Sequence, residues 1–211
     1  MEQFFFEKIS KNQNNHWWYK SRREIFLKIL KELKLKNPKI LDYGSGAGAN
    51  IELLNKLSQN IDAFEPNASM HLKLKSNGAN VIKKIDNKYD LIVLTDVIEH
   101  VKNDRELLSS ITDRLNSKGF IFITVPAYQF LYSSKDVQLK HYRRYDRNSL
   151  ISIIPNDLEI IKTSYLNFFL FIPLASIIMI FKLLNKSFSN FSEETPNKVV
   201  NFFLYKIFSI E

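Results

Sequence analysis

The chain has 211 residues, 45% of them apolar, and a formal charge of +8 at pH 7. This length accommodates one α/β domain with a full core, and the charge predicts an anionic partner such as nucleic acid, a membrane surface or a phosphorylated acceptor. The lack of cysteine excludes disulfides, thiolate zinc sites and cysteine nucleophiles, and favours an intracellular location. The N-terminus lacks the apolar run of a signal peptide, and no basic tract marks a nucleic-acid arm, so we expect neither export nor a nucleic-acid partner.

The first elements lead into a glycine-rich loop. Apolar residues at helical spacing predict an amphipathic helix over residues 20–35, which Pro38 ends. A short apolar strand then runs into three glycines at alternate positions, Gly44, Gly46 and Gly48. Because glycine has no Cβ, such a loop can turn sharply and approach a ligand at the N-terminus of the next helix. The pattern predicts a nucleotide-cofactor loop.

Two acids indicate which cofactor the loop binds. The next strand ends at Glu65, at roughly the 20-residue spacing expected of an acid that binds ribose hydroxyls. The spacing Gly44-x-Gly46-x-x-Ala49 also fits a dinucleotide site, but Asp42 stands just before it, where a carboxylate would repel a pyrophosphate. S-adenosylmethionine has no phosphate and carries an ammonium and a sulfonium, so an acid there attracts it. The acids therefore favour S-adenosylmethionine over NAD.

Helices and strands continue to alternate along the chain. The pattern predicts helices over 67–76 and 104–115, with Gly119 ending the second before a strand over 120–125. Residues 158–164 can supply a sixth strand. Near-continuous apolar strands between helices predict a Rossmann-like α/β fold: a doubly wound, mostly parallel sheet with helices on both faces. In such a fold the cofactor lies across the carboxyl ends of the strands.

The C-terminal third is unusually apolar. Residues 163–181 are uncharged and approach membrane-spanning length, although Pro173 weakens a spanning helix. Residues 197–210 have the pattern of an aromatic-rich helix where a last strand would be expected. A core helix is the plainer alternative, but so much apolar surface favours contact with a membrane surface or a partner. We divide the chain into a domain over 1–165 and a hydrophobic helical extension over 166–211.

Three blocks, in this order, resemble the motifs of class I S-adenosylmethionine-dependent methyltransferases. The loop over 42–48 resembles their first motif and Phe64-Glu65-Pro66 their second, while residues 90–101 closely resemble the corresponding block of the ubiquinone O-methyltransferase group. The resemblance is specific from residue 16 to 150 and looser to 184. It implies a set of cofactor-binding residues, namely Arg23, Asp42, Gly44, Ser45, Gly46, Gly48, Glu65, Pro66, Thr95 and Asp96.

The N-terminal segment, residues 1–35, looks like the lid of the same family. His16-Trp17-Trp18-Tyr19 is followed by Arg22 and Arg23. In the family an arginine of the lid meets the cofactor carboxylate, so both arginines are candidates, and we assign Arg23. The aromatic residues either belong to the lid or pack in the core, and we favour the lid.

Two histidines are the candidate catalytic bases. His100 follows the cofactor-facing turn, and His141 lies in the loop after the fifth strand, where an acceptor would enter; an imidazole suits proton abstraction at neutral pH. Asp96, Glu99 and His100 would share one face of a helical turn, and the resemblance links such a set to a divalent metal. Acids in a first helical turn also complement its dipole, and we assign no metal.

The leading hypothesis is an O-directed methyltransferase that acts on a small-molecule or lipid-linked, quinone-like or glycoconjugate acceptor. Arg143 and Arg144, in the basic and aromatic loop 126–147, could bind a phosphate of the acceptor or of a lipid headgroup. We expect a cytoplasmic protein in peripheral contact with the inner face of the membrane. The alternative is a catalytically inactive, cofactor-binding protein that anchors a membrane complex, and an NAD-dependent oxidoreductase is a third reading.

Overall fold

The structure is a computed structural model that describes residues 15–184 and 195–211. The start of the expected lid, residues 1–14, and part of the expected extension, residues 185–194, lie outside the described residues. The strands are β1 (Ile40–Tyr43), β2 (Ile61–Phe64), β3 (Asn80–Ile82), β4 (Tyr89–Thr95) and β5 (Leu115–Thr124). The α-helices are α1 (Trp17–Glu32), α2 (Ile51–Leu54), α3 (His71–Ser76), α4 (Asp104–Thr112), α5 (Ser134–Gln138), α6 (Arg147–Ile153), α7 (Phe168–Leu183) and α8 (Lys198–Ser209).

The five strands form one parallel sheet in the order β3-β2-β1-β4-β5. Side chains alternate between its two faces, so neighbouring residues enter different cores. Ile40 and Leu91 pack with α1, α2 and α3 on one face, whereas Leu41 and Ile92 pack with α4 on the other. These strand residues are at most 1% exposed, as expected where helices cover both faces. The prediction of a Rossmann-like parallel sheet is confirmed.

Two local predictions are wrong. Residues 158–164 form no strand, and Ile161 is 66% exposed, so this segment has no apolar face buried against the sheet. Helix α4 ends at Thr112, before the predicted end, and Gly119 lies inside β5. The pairing of β5 with β4 is irregular between Tyr89 and Leu91, which allows the strand to begin at Leu115.

Helix α8 packs against α1, so the two ends of the described chain meet. The rings of Trp17 and Trp18 lie 5.9 and 5.1 Å from the ring of Phe208. The hydroxyl of Tyr205 donates to the Glu24 carboxylate at 2.7 Å. The aromatic residues at the start of α1 therefore contribute to this helix pair.

Helix α7 packs through Ile178 against Leu131 in the loop after β5. Much of its remaining surface, and much of the surface of α8, consists of exposed apolar side chains. The apolar residues of the two helices with the highest exposed fractions are Phe168, Phe169, Ile172, Ile180, Leu183, Val199, Phe202 and Phe203. Within residues 15–184 and 195–211, no helix has both the length and the apolar character needed to cross a membrane.

Candidate functional site

The glycine loop follows β1 at the carboxyl edge of the sheet. Gly44, Gly46 and Gly48 all have positive φ, at 70°, 51° and 79°, which side chains disfavour. A Cβ on Gly44 would lie 2.8 Å from Cγ2 of Val97, and one on Gly48 would lie 2.8 Å from Nδ2 of Asn77. Space as well as conformation therefore requires glycine at the first and third positions.

Glu65 binds the loop directly. Its carboxylate accepts hydrogen bonds from the backbone N–H of Gly46 and of Asn67, each at 2.8 Å. An ionised carboxylate has about four acceptor positions, so positions remain for the hydroxyls of a ligand. Glu65 is only 8% exposed, and Pro66, which follows it, is exposed. The acid therefore both shapes the loop and faces the space beside it.

Asp42 is buried beneath the same loop, at 1% exposure, and one of its carboxylate oxygens has no hydrogen-bond partner. Burial raises the pKa of Asp42 to about 7; a hydrogen bond from Ser45 opposes this shift, and the charge of Glu65 adds to it. The hydroxyl of Ser45 also donates to the Asp42 backbone carbonyl at 2.7 Å. A cation placed near this carboxyl would favour its ionised form.

The raised pKa of Asp42 should make the stability of the fold depend on pH. The folded pKa of about 7 lies above the ordinary value of 3.8, so between these values the folded state binds more protons. Stability therefore falls as pH rises through this window and is unaffected by the group below it. The side chain introduced by Asp42→Asn has no proton to lose, so the difference in unfolding free energy between this variant and the original chain should shift in favour of the variant by roughly 2–3 kcal/mol as pH rises from 5 to 8. Urea unfolding of both proteins measures this difference, and equal pH profiles would contradict the assignment.

The ends of β4 and β5 carry a second polar group. Asp96 has φ 55°, and its carboxylate receives the guanidinium of Arg22 at 2.7 Å. Arg22 also donates to the hydroxyl of Thr124 at 3.2 Å. Burial lowers the pKa of Arg22, but the charge and hydrogen bond of Asp96 outweigh it and raise the pKa. Thr95, next to Asp96, accepts from Nδ2 of Asn50 at 2.7 Å, a contact that joins β4 to the glycine loop.

Of the two candidate arginines, the structure brings Arg22 to the carboxyl edge of the sheet. Its guanidinium lies over the rings of Trp18 and Phe26, at 5.5 and 5.1 Å, which fixes its direction. Arg23 lies instead near the charges of Glu52 and Glu24, and burial lowers its pKa. Neighbouring residues on a helix point about 100° apart, so only one of them can follow a given face.

His100 and His141 come together beside Glu99. The two imidazole rings lie 4.5 Å apart, edge to face. Burial, and then the neighbouring His141, lower the pKa of His100 to about 4. Glu99 is fully buried, neither of its carboxyl oxygens has a hydrogen-bond partner, and burial and then Asp96 raise its pKa.

The structure changes the predicted set of acid and histidine side chains. Ile98–His100 is a 3-10 turn, so the spacing of an α-helical face does not apply. Asp96 is paired with Arg22, and His141 stands in the set with Glu99 and His100 where Asp96 was expected. One ligand atom from each of Glu99, His100 and His141 lies within 4.8 Å of the others, close enough to face one ion or one polar ligand.

Arg143 and Arg144, in the loop after β5, pair with carboxylates of the same chain. Arg143 donates to Asp104 at 2.7 Å, and Arg144 forks onto Asp136 with two hydrogen bonds of 2.8 Å. Because carboxylates of this chain bind both arginines, the structure lends no support to the idea that they face a phosphate, which stays a prediction. Asp104 and Asp136 were not among the predicted site residues. For Asp136, a signal was available in the capping box that it forms with Ser133.

Comparison with known sequences gives a family and a distant relative. A family model described as a methyltransferase domain matches residues 17–157. A ubiquinone biosynthesis O-methyltransferase of Rickettsia bellii is 28% identical over 56% of this chain and 59% of that protein. The chain therefore matches less than two thirds of the length of this relative.

Two solved structures have a similar fold. The N-methyltransferase NodS from Bradyrhizobium japonicum, in complex with S-adenosyl-L-homocysteine, has a TM-score of 0.54 and 14% identity, covering 68% of this chain and 76% of NodS. A SAM-dependent methyltransferase of Thermotoga maritima has the same TM-score and 19% identity, covering 72% of this chain and 79% of that one. Likeness at these identities shows the fold alone.

Proposed function

We propose a specific reaction for this chain, which belongs to the methyltransferase domain family of class I S-adenosylmethionine-dependent enzymes. In this reaction the chain methylates a hydroxyl group of a lipid-linked or quinone-like acceptor. The observation that carries the proposal is the junction of the glycine loop with Glu65, beside a buried acid and next to a histidine pair. One side of the carboxyl edge thus suits a cationic cofactor and the other suits proton transfer. The distant likeness to a ubiquinone biosynthesis O-methyltransferase supports the choice of acceptor.

The residues at the glycine loop suit the parts of S-adenosylmethionine. Glu65 accepts from the ribose hydroxyls with the acceptor positions that Gly46 and Asn67 leave open. The negative charge of Asp42 attracts the positive charge of the cofactor. We propose Arg22, in place of Arg23, as the residue that meets the cofactor carboxylate, because its guanidinium already lies at this edge of the sheet. Thr95 and Asp96 border the same space.

The cofactor would supply a methyl group bound to a sulfonium, from which a neutral thioether departs as the leaving group. The protein has to hold the acceptor in line and accept its proton. Of the two histidines, His141 suits the second task better, because burial and its neighbour make His100 a weak base with a pKa of about 4. His100 and Glu99 then line the space in which the acceptor hydroxyl lies.

We extend the proposal to the apolar helices α7 and α8, which contact each other. Their exposed Phe and Ile side chains are accompanied by Lys182, Lys198 and Lys206 and by no acid within either helix. An apolar surface with lysines suits the interface of a membrane that contains anionic lipids. Helix α7 also packs on the loop after β5, so a membrane beneath it lies close to the entrance for an acceptor. We propose that this extension, within residues 166–211, brings the domain to a membrane-resident acceptor.

Transfer of a labelled methyl group tests the enzymatic proposal. The protein is incubated with S-adenosylmethionine carrying a tritiated methyl group and with a membrane lipid extract, and label in the organic phase is counted. We expect label in a discrete lipid product with the original chain and much less with Glu65→Ala when S-adenosylmethionine is limiting. Cofactor binding without any labelled product would favour the alternative of an inactive anchoring protein.

Flotation with vesicles tests the membrane contact. Phe202 and Phe203 are 53% and 60% exposed on α8. Because each Phe contributes roughly 1.5–3 kcal/mol on full burial, replacing both with Ser should weaken binding to vesicles of phosphatidylglycerol and phosphatidylcholine at least tenfold. Leu72→Ser, at an 82% exposed position on α3, serves as the control. Equal flotation of the double variant and the original chain, or no flotation of either, would contradict the membrane contact.

A further inference from the structure

A buried acid lies beside the proposed base in the loop after β5. The Asp136 side chain is 1% exposed, and its Oδ1 is 2.9 Å from Nδ1 of His141. The same carboxylate receives the backbone N–H of Ser133 at 2.9 Å and the fork of Arg144. Every one of these partners can donate a hydrogen, so the site is built for an ionised carboxylate.

The charge of Asp136 decides which nitrogen of His141 carries the hydrogen. Burial raises the pKa of Asp136, but hydrogen bonds from His141 and Arg144 outweigh it and hold the pKa well below its ordinary value. The carboxylate therefore has no hydrogen to donate, and the hydrogen between the two side chains sits on Nδ1. In a neutral ring this leaves Nε2 with a free lone pair.

The backbone also fixes the ring of His141. The N–H of His141 donates to the Asp136 carbonyl at 2.9 Å, and its own carbonyl accepts from the hydroxyl of Tyr132 at 2.7 Å. The side chain is only 9% exposed, and the His100 ring packs against it edge to face. Nε2 lies on the opposite side of the ring from Asp136, and one ring nitrogen lies in the cluster with Glu99 and His100.

We propose that Asp136 is a positioning residue that holds His141 as the neutral Nδ1–H tautomer, so that Nε2 accepts the proton of the acceptor hydroxyl. The proposal rests on the methyl-transfer function proposed above. As the O–CH₃ bond forms, the S–CH₃ bond breaks, its electron pair returns to sulfur, and the hydroxyl proton passes to Nε2. Asp136 stays ionised throughout, because Arg144 balances its charge.

Nitrogen-15 NMR of the histidine side chains tests this directly, without any acceptor. The spectra are recorded at pH 8 in EDTA for the original chain, for Asp136→Asn and for Asp104→Asn. Asp104 is the matched control, because it is a similarly buried carboxylate bound by Arg143 and Tyr145. We expect His141 to show a protonated Nδ1 in the original chain and in Asp104→Asn.

In Asp136→Asn the single amide oxygen is drawn to Arg144, so the amide NH₂ faces His141 and reverses its tautomer. Should this variant fail to fold, the spectrum of the original chain still decides: a protonated Nε2 there overturns the proposal. An Nδ1–H signal that persists in folded Asp136→Asn would overturn it as well. With an acceptor in hand, the folded variant should lose roughly 100-fold or more in methyl transfer at unchanged affinity for S-adenosylhomocysteine.

Calorimetry with S-adenosylhomocysteine separates the two ways of failing. A chain that binds this ligand but carries hydrogen on Nε2 of His141 retains the proposed function and loses only the role of Asp136. A chain that does not bind it loses the proposed function, whatever the tautomer.

Discussion

His141→Gln should slow methyl transfer by roughly 100- to 10,000-fold, the range by which a positioned general base accelerates such a step. A glutamine amide cannot accept a proton at neutral pH, and Asp136 keeps its hydrogen bonds from Arg144 and from the Ser133 N–H. The structure around Asp136 is therefore retained while the base is lost. Single-turnover rates with saturating S-adenosylmethionine measure the effect, and the affinity for S-adenosylhomocysteine should stay within about twofold because the imidazole serves the acceptor side.

His100→Gln is the comparison that gives this result its meaning. A ring nitrogen of His100 bonds the backbone carbonyl of Lys140, and the pKa of His100 lies near 4, so it holds a proton poorly at neutral pH. We expect its replacement to cost much less than that of His141. A larger loss in His100→Gln than in His141→Gln would reverse the two assignments.

Glu65→Ala should weaken the binding of S-adenosylhomocysteine by roughly 100-fold, since hydrogen bonds to a charged group contribute about 1.5–3 kcal/mol each. The substitution removes the contacts proposed for the ribose together with those that hold the N–H groups of Gly46 and Asn67, each at 2.8 Å. Isothermal titration calorimetry measures the affinity. Glu52→Ala is the control, because this exposed acid lies on the helix that follows the loop and has a carboxylate that is 76% exposed.

A second variant separates the two roles of Glu65. Glutamine keeps one acceptor oxygen and loses the charge, so Glu65→Gln should bind with an affinity between those of the original chain and Glu65→Ala. Affinity in Glu65→Ala equal to that of the original chain would place the ribose elsewhere and contradict the site as a whole.

The parts of the fold that were predictable are those fixed by local physics. The strand over 40–43 begins with two fully buried apolar residues, Ile40 and Leu41, as expected of a strand covered on both faces, and its end is marked by glycines that the turn requires. The spacing to Glu65 likewise follows from the length of one strand-helix-strand unit. These features depend on residues close in sequence.

The parts that were not predictable depend on which distant groups meet. A strand over 158–164 needs an apolar face to bury, and its pattern could not show that Ile161 would stay exposed. Arg143 gave no sign that Asp104 would bind it, since a carboxylate 39 residues away is invisible to local pattern. Asp136 lies only 8 residues before Arg144, but their pairing depends on how the whole loop folds. Our proposal of Arg22 in place of Arg23 likewise depends on the rotation of α1, which its packing on α8 and the sheet determines.

Calorimetric titration of the unaltered chain with S-adenosylhomocysteine, and in parallel with NAD, shows which of the two cofactors the glycine loop binds. Glu65, and Asp42 once a nearby cation favours its ionised form, place negative charge beside the glycine loop, which suits an ammonium and opposes a pyrophosphate. We predict binding of S-adenosylhomocysteine at one site per chain and no binding of NAD. Binding of NAD alone, or of neither ligand, would contradict the account.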